Sequence, residues 1–274
     1  MPHRPTARAL SVWVEPVDVF RLLEASSPNV FWLDAGPEAA DGWSFVGVGD
    51  PSALPGDVVL GGDVHADGTA SEGERPPFRG GWVGWRDYES GAAAAGAPTH
   101  GGDTDHRASW MRVQRFAAFD HARRRVWVHA DENLEEWAKV VERAAVAASA
   151  LPSLPARPAV GVVAGARHER GEYADLIERC RDLIRQGIAY QLCLTTRFSV
   201  SGFGDPVAVY ARLRATTPAH HGGFMRIQGR VLLSASPEQF LRVSGGVVRT
   251  RPIKGTRPRS ADPVEDAALA AELA

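Results

Sequence analysis

Two side chains near the C-terminal end of the sequence, Glu238 and Lys254, could carry out acid–base chemistry together. The stretch between them predicts two strands that turn at Gly245-Gly246, and this hairpin would bring both side chains to one end of a sheet. A lysine attacks as a nucleophile only when neutral, so burial or cationic neighbours, here the arginines that flank it, must lower its pKa from about 10.4. A glutamic acid donates a proton at neutral pH only if burial raises its pKa from about 4.3. The pair would suit a substitution in which an amine adds while a hydroxyl group leaves with a proton.

The register of that hairpin decides whether the two side chains share a face. If residues 245–247 form a three-residue loop, Glu238 stands directly opposite Lys254, with Cβ atoms roughly 5 Å apart. A two-residue loop would place Ile253 opposite Glu238 and turn Lys254 to the other face. The proline before Ile253 interrupts the ladder, so the sequence leaves both registers open. An ordinary exposed salt bridge, worth about 0–1 kcal/mol, is the plain alternative to a catalytic pair.

The second part of the chain predicts helices beside an antiparallel meander. Apolar residues recur at helical spacing over 173–184, which predicts a helix with one buried face, ended by Gly187. A further helix begins strongly at Asp262, which can cap it, and meets no stop signal before Ala274, so we expect a truncated chain. The other elements predicted here are strands at 190–200, 224–227, 231–235, 239–243 and 247–250, and a helix at 206–215.

The first 150 residues predict short strands with few helices. A glycine- and tryptophan-rich strand at 80–85 indicates that another backbone approaches closely there. The other predicted elements are strands at 30–33, 44–48, 115–120 and 125–130, helices at 18–25 and 133–150, and a mobile loop at 90–107. Three prolines at 152, 155 and 158 predict a linker. We therefore expect an N-terminal region, 1–155, and a second region, 156–274.

The composition argues against several classes of protein. The formal net charge is −2, so no basic excess exists to bind nucleic acid or anionic lipid. Two cysteines, Cys180 and Cys193, cannot form a disulfide framework and fit a reduced compartment. No stretch reaches the roughly 18–20 apolar residues that a membrane span needs, and no signal-peptide pattern opens the sequence. These features predict a cytoplasmic protein with no nucleic-acid or membrane partner.

Longer motifs resemble those of a known family. The nine residues Arg-Pro-Ile-Lys-Gly-Thr-Arg-Pro-Arg at 251–259 resemble the signature of chorismate-utilising enzymes, which include anthranilate synthase component I and aminodeoxychorismate synthase component I. Residues 190–198 and the Ser-x-Ser-Pro-Glu-x-Phe-Leu stretch at 234–241 are similar to family elements in the same order. Residues 31–34 and 80–84 look like N-terminal elements of the aminodeoxychorismate branch. Ser260 stands where the family usually has glycine.

The resemblance implies a fold and a reaction. The fold is α+β, with two stacked antiparallel β-sheets flanked by helices, here incomplete at its C-terminus. Lys254 stands where anthranilate synthases usually have alanine and many aminodeoxychorismate synthases have lysine. By resemblance, Lys254 attacks C2 of chorismate, Glu238 protonates the departing 4-hydroxyl, and ammonia from a glutamine amidotransferase partner completes an amination that feeds 4-aminobenzoate and folate synthesis. The substrate-binding residues implied are Ser236, Gly255, Thr256 and Arg257.

The cofactor implied by the resemblance is Mg²⁺, whose glutamate ligands would lie beyond Ala274. We therefore expect no metal ligand in this chain, and no measurable synthase activity from the chain alone. Two alternatives stay open: anthranilate synthase component I, and a non-catalytic truncated module that binds the amidotransferase. A possible tryptophan-binding segment at 22–26 is more simply an amphipathic helix. The adjacent His220 and His221 are interpreted as loop residues.

Overall fold

The computed structural model describes residues 6–54, 75–97, 109–151, 163–201, 204–244 and 246–273. The strands are β1 (Thr6–Ala9), β2 (Val30–Asp34), β3 (Trp43–Pro51), β4 (Gly81–Trp85), β5 (Ser109–Asp120), β6 (Arg125–Ala130), β7 (Val163–Ala166), β8 (Phe198–Ser201), β9 (His221–Ile227), β10 (Arg230–Ser236), β11 (Arg242–Ser244) and β12 (Val247–Arg249). The helices are α1 (Pro16–Ser26), α2 (Tyr88–Ala94), α3 (Leu134–Glu142), α4 (Ala144–Ser149), α5 (Arg170–Arg185), α6 (Pro206–Thr216) and α7 (Pro263–Leu273).

Most of the strands form one antiparallel sheet. Its order is β1-β6-β5-β3-β2-β9-β10, and β4 pairs with the N-terminal part of β5. The pairs β7–β8 and β11–β12 form separate two-stranded sheets. The α+β class, with antiparallel sheets and flanking helices, is therefore confirmed. Because β2 pairs with β9, residues that are about 190 positions apart in sequence lie side by side in this sheet.

The two faces of the large sheet bury different apolar sets. On one face, Phe20 of α1 packs against Trp32 and Phe224, with ring centroids 5.1 and 4.9 Å apart. Side chains alternate along a strand, so the neighbours of these residues point to the opposite face. That face carries a second buried cluster, which comprises Phe31, Phe45, Val83, Met111, Val113, Phe116, Ala118, Met225 and Ile227.

A buried ion pair ties α6 to the end of β2. The side chain of Asp34 is only 2% exposed, and Arg214 Nε donates to its Oδ2 at 2.5 Å. The same guanidinium donates to the carbonyl oxygen of Gly36 at 2.8 Å and lies over the ring of Trp32. An unpaired charge at this depth would be costly, so the pair sets where the C-terminal part of α6 meets the sheet.

The chain divides into two compact units. The first comprises residues 1–152 and 213–274, and the second comprises 153–212. The predicted boundary between residues 155 and 156 lies close to the start of the second unit. The strands after Arg212, however, belong to the first unit because β9 pairs with β2. The predicted regions were defined from the sequence, whereas the two compact units are defined by contacts. The prediction of two consecutive family regions therefore stays a prediction.

The second unit is built from α5 and the β7–β8 ribbon. The predicted helix at 173–184 is confirmed and extended, and Gly187 follows it with φ +72°. The prediction that this helix buries one face was wrong for the part of the chain that the structure describes, in which no residue of α5 is buried. Exposed apolar side chains follow it, including Ile188 and Tyr190 at 68% and 94% exposure.

Several predicted boundaries move. The strand predicted over 190–200 is limited to β8, whose described pairing with β7 ends at Ala166 and Phe198. The helix predicted over 133–150 is two helices, which part at Arg143. The loop predicted over 90–107 begins inside α2, whose first turn is capped by Asp87, and positions 98–107 lie outside the described residues. The proline linker also lies outside them. The strand predicted from 239 starts only at Arg242.

Candidate active site

The candidate site begins where β10 ends. Ser236 is the last residue of β10, and its hydroxyl donates to the carbonyl oxygen of Glu238 at 3.0 Å. Oγ of Ser236 also accepts from the N–H of Glu238 at 3.5 Å, which closes a tight turn around Pro237. Ser236 was predicted to bind substrate. In the structure, its hydroxyl group forms hydrogen bonds with the backbone of Glu238.

The next hairpin adopts the second of the two registers that the sequence left open. Ser244 pairs with Val247 and Arg242 pairs with Arg249, so only positions 245 and 246 lie between the paired ends. Gly246 has φ +72°, a conformation that glycine adopts without a steric cost. With this two-residue loop, Ile253 rather than Lys254 is the counterpart of Glu238.

The contact at that position follows from the register. The N–H of Ile253 donates to Oε2 of Glu238 at 2.9 Å. Nζ of Lys254 donates to the carbonyl oxygen of Ile253 at 3.1 Å. The predicted acid and the predicted amine therefore both contact the backbone of Ile253. No ion pair joins the two side chains within the described part of the chain. Glu238 is half-buried and Lys254 is exposed, so the described residues do not supply the deep burial that the sequence reasoning required.

Helix α7 holds the rest of the signature. Arg259 makes a two-pronged contact with Asp266, at 2.8 and 2.7 Å, and the N–H of Ser260 donates to the same carboxylate. The side-chain hydrogen bond from Arg259, followed by that N–H, lowers the pKa of Asp266 to about 2. Arg257 Nε donates to Glu272 at 2.7 Å. Two turns of this helix thus anchor the loop that follows Lys254.

The positions of two further predicted substrate-binding residues follow from that anchoring. Gly255 has φ +90°, and a Cβ there would lie 2.9 Å from the end of the Leu273 side chain. The carbonyl oxygen of Thr256 accepts from Arg257 Nη1 at 3.0 Å. Both residues are exposed and directly follow Lys254, so they lie beside the candidate nucleophile.

The charges around Lys254 differ from the sequence prediction. Three arginines flank it, and all were expected to add positive field at the amine. Arg257 and Arg259 are instead paired with carboxylates on α7, which cancel much of that field. Arg251 has no hydrogen bond or ion pair within the described residues.

One polar side chain at this site was missed. His221 is the first residue of β9, not a loop residue, and it stands directly opposite Ser236. Burial, and then the neighbouring His220, lower the pKa of His221. Side chains alternate along a strand, so counting back from the apolar Phe224 would have placed His221 on the same face as Met225. The glycines at 222 and 223 made the start of this strand hard to recognise in the sequence.

The described residues do not offer a metal centre. Nowhere within the described ranges do three or more His, Cys, Asp or Glu side chains cluster closely enough to hold an ion. The Mg²⁺ implied by the resemblance therefore has no ligand set among them.

The motif order and the antiparallel α+β architecture point to one family. A model of the family described as chorismate binding enzyme matches residues 62–274 of the chain. The chain belongs to the chorismate binding enzyme family. The match includes both halves of the candidate site, Ser236 to Glu238 and the signature around Lys254.

Two named relatives extend over nearly the whole chain. An aminodeoxychorismate synthase of Streptomyces pristinaespiralis is 31% identical, over 93% of this chain and 41% of its own length. An anthranilate synthase component 1 of Streptomyces coelicolor is 30% identical, over 100% of this chain and 61% of its own length. The chain thus spans roughly two fifths to three fifths of these curated relatives.

Solved structures share the fold. The chain is similar to anthranilate synthase component I from Streptococcus pneumoniae, with a TM-score of 0.57 at 22% identity, over 100% of this chain and 57% of that one. No helix among the described residues combines the length and the apolar character needed to cross a bilayer.

Proposed function

We propose that this chain carries the acid and the amine of an enzyme that aminates chorismate to 4-amino-4-deoxychorismate with ammonia from a glutamine amidotransferase partner, and that the chain alone has no measurable synthase activity. The observation that carries the proposal is Lys254, which stands in the family signature next to the residue whose N–H holds Glu238. The relatives named aminodeoxychorismate synthase support the same branch. The product would feed 4-aminobenzoate and folate synthesis, and Mg²⁺ belongs to the proposal by resemblance alone.

In the proposed first step, neutral Lys254 forms a bond from Nζ to C2 of the ring. Both ring double bonds shift, and the C4–O bond breaks. Glu238 gives its proton to the departing hydroxyl, which leaves as water. In the second step, ammonia bonds to C4, the double bonds shift back, and Lys254 is expelled from C2.

The contacts around Ile253 suit these roles. Its N–H engages Oε2 of Glu238, which leaves Oε1 to carry the proton that is donated. A neutral amine at Lys254 can donate one hydrogen to the carbonyl oxygen of Ile253 and keep its lone pair for C2. The same backbone residue would therefore position acid and nucleophile together.

A second candidate is anthranilate synthase component I. Relatives with that name match at similar identity, among them the one from Streptomyces coelicolor. The family resemblance separates the two at Lys254, because a lysine nucleophile serves amination at C4. A non-catalytic module that binds the amidotransferase is the alternative from another class, favoured by the exposure of Lys254.

Our test uses an unusual feature of the sequence, which contains only two lysines, Lys139 and Lys254. The purified chain, with its amidotransferase partner where one is available, is incubated with chorismate, Mg²⁺ and ammonium. Intact-mass and peptide spectra should show an adduct of chorismate less one water on Lys254. Lys254→Ala should abolish the adduct, whereas Lys139→Arg should leave it unchanged, and 4-amino product should stay below detection when the chain is assayed alone.

Three results would count against the proposal. An anthranilate product would favour the second candidate. An adduct that survives Lys254→Ala would remove the proposed nucleophile. Binding of the amidotransferase without adduct or product, in wild-type protein and both variants, would support the non-catalytic module.

A further inference from the structure

The signature loop enters α7 through a helix cap in which a serine takes part. Asp262 precedes the helix, and its Oδ1 accepts from the N–H of Val264 at 2.8 Å. In a common capping box, the glutamate at the third helical position, here Glu265, accepts directly from the N–H of the capping residue. In this chain the hydroxyl of Ser260 stands between them. It accepts from the N–H of Asp262 at 3.1 Å and donates to Oε2 of Glu265 at 2.6 Å, so the cap is a relay of two hydrogen bonds through one serine.

The relay depends on a hydroxyl group that the usual glycine of the family would not supply. A glycine at this position would keep the N–H that donates to Oδ1 of Asp266 at 3.1 Å, but it would lose both bonds of the relay. A hydrogen bond from a hydroxyl to a carboxylate is one of the stronger kinds, because its acceptor is charged. Ser260 is also half-buried, whereas the side chain of Arg259 is 87% exposed, so water and salt weaken the ion pair of that arginine more.

The loop formed by residues 255–260 is attached to α7 at two places. Ser260 is held at the first turn of the helix by the relay. Arg257 is held at the last turn, where its Nε donates to Glu272 at 2.7 Å. In the part of the chain that the structure describes, no residue of α7 is buried, so contacts with this loop, rather than burial in a core, fix where helix and loop lie relative to each other.

Gly255 connects this attachment to the candidate nucleophile. It has φ +90°, and a Cβ there would lie 2.9 Å from the side chain of Leu273. Lys254 directly precedes it, and Nζ of Lys254 donates to the carbonyl oxygen of Ile253 at 3.1 Å. Movement of the loop at Gly255 would therefore move the amine relative to the backbone that Glu238 contacts.

We propose that Ser260 is a positioning residue for Lys254. Its hydroxyl holds the end of the loop on the first turn of α7, and the held loop fixes the direction from which the amine meets the ring carbon. The proposal rests on the function proposed above and deepens it, because it adds a residue that acts only through the loop. Small displacements of a reacting group cost large factors in rate, so a single hydroxyl can matter at this distance.

The first measurement is the rate at which the Lys254 adduct forms, followed by intact mass over a range of chorismate concentrations. Ser260→Ala removes the hydroxyl and keeps the N–H. It should lower the maximal rate about fivefold or more, while the half-saturating concentration of chorismate changes less than about twofold. Ser260→Thr keeps a hydroxyl and should restore the rate to within about twofold of wild type. The matched control is Ser149→Ala in α4, which removes an exposed hydroxyl that donates to the carbonyl oxygen of Val146 at 2.8 Å and should leave the rate unchanged.

The relay also predicts that Glu265 acts through Ser260. Glu265→Ala should lower the rate by a factor similar to that of Ser260→Ala. The double variant should be little slower than either single variant, because the second substitution removes a bond that is already lost. Losses that multiply in the double variant would show that the two side chains act separately, and would reject the relay.

A second measurement needs no chorismate. NMR relaxation gives the order parameters of the backbone amides of Gly255 and Thr256, which are about 0.85 for rigid backbone and below about 0.6 for flexible backbone. Both should fall toward the flexible range in Ser260→Ala and stay at the wild-type value in Ser260→Thr. Hydrogen exchange at the Asp262 amide should become about three- to tenfold faster in Ser260→Ala, because this N–H loses its acceptor.

The outcomes separate this inference from the proposed function. If wild type and Ser260→Ala form the adduct at the same rate, the positioning role is wrong and the function stands. If wild type forms no adduct, the function is wrong and Ser260 positions no nucleophile, while the relaxation measurement still decides whether the serine holds the loop. Equal order parameters in wild type and Ser260→Ala, or a loss of rate that Ser260→Thr does not restore, reject the role of the hydroxyl.

Discussion

At the scale of single residues, the candidate site depends on which backbone group meets Glu238. A hairpin loop one residue longer would have placed Lys254 opposite Glu238, and these two side chains would have formed a salt bridge. The two-residue loop puts the N–H of Ile253 there instead. This N–H is a neutral donor, so no ionic bond joins Glu238 to Lys254 within the described part of the chain.

Removing the Glu238 carboxylate should release the Ile253 amide. A hydrogen bond of this kind contributes about 0.5–1.5 kcal/mol net, so Glu238→Ala should speed hydrogen exchange at Ile253 by about three- to tenfold. Glu238→Gln keeps an acceptor oxygen of the same reach and should change that rate less than about twofold. Exchange measured by NMR at the Ile253 amide decides this; equal rates in all three proteins would show that the bond is absent in solution.

At the scale of elements, close packing of strands depends on particular glycines. Gly84 in β4 has no room for a side chain, because a Cβ would lie 2.1 Å from the carbonyl oxygen of Ser109 on β5. The glycine- and tryptophan-rich stretch at 80–85 predicted such a close approach, and the structure confirms it. The neighbouring strand would have to move to admit even one methyl group.

We therefore expect Gly84→Ala to lower the free energy of unfolding by about 1–3 kcal/mol, as overpacking does elsewhere. The matched control is Gly91→Ala in α2, where the nearest atom to a new Cβ is the flexible end of Arg86 at 3.9 Å. That change should be neutral or stabilise by up to about 1 kcal/mol, because alanine favours helix. Urea denaturation of both variants makes the comparison, and equal effects would contradict the packing argument.

At the scale of the whole molecule, the core holds a histidine in its neutral form. His129 is 4% exposed and its ring stacks on Phe116, with centroids 4.4 Å apart. Burial, with a smaller contribution from the charge of Arg79, lowers the pKa of His129 from 6.5 to about 4. Burial also lowers the pKa of His121, which acts in the same direction.

Stability should therefore fall as the solution is acidified. Below pH 6.5 His129 takes up a proton in the unfolded chain but stays neutral in the folded protein. Its contribution to the free energy of unfolding is therefore complete above pH 6.5 and is lost progressively down to about pH 4. At about 1.4 kcal/mol per pH unit, His129 alone accounts for up to about 3 kcal/mol.

The measurement is the free energy of unfolding at several pH values for wild type, His129→Phe and the control His220→Gln. The phenylalanine variant should lose most of this slope, and the change at exposed His220 should leave it intact. A wild-type slope that persists in His129→Phe would assign the acid sensitivity to other groups.

Local patterns in the sequence were enough to predict many elements. Apolar residues at helical spacing predicted α5, and the sequence also predicted α6, β2, β5, β6, β9 and β10, with bounds that differ by a few residues from those observed. The cap at Asp262, whose Oδ1 accepts from the N–H of Val264, begins α7 as predicted. These features depend on neighbours within a few residues, and such preferences are written directly in the sequence.

What the sequence by itself determined was the family, the element types and the two segments that carry the candidate acid and amine. Only the tertiary structure decided their register, the pairing of Arg257 and Arg259 with α7, and the sheet that joins β2 to β9. The physical reason is range. Periodicity and capping are local, whereas a one-residue difference in a loop, or a carboxylate fifteen positions away, acts only once the chain has folded.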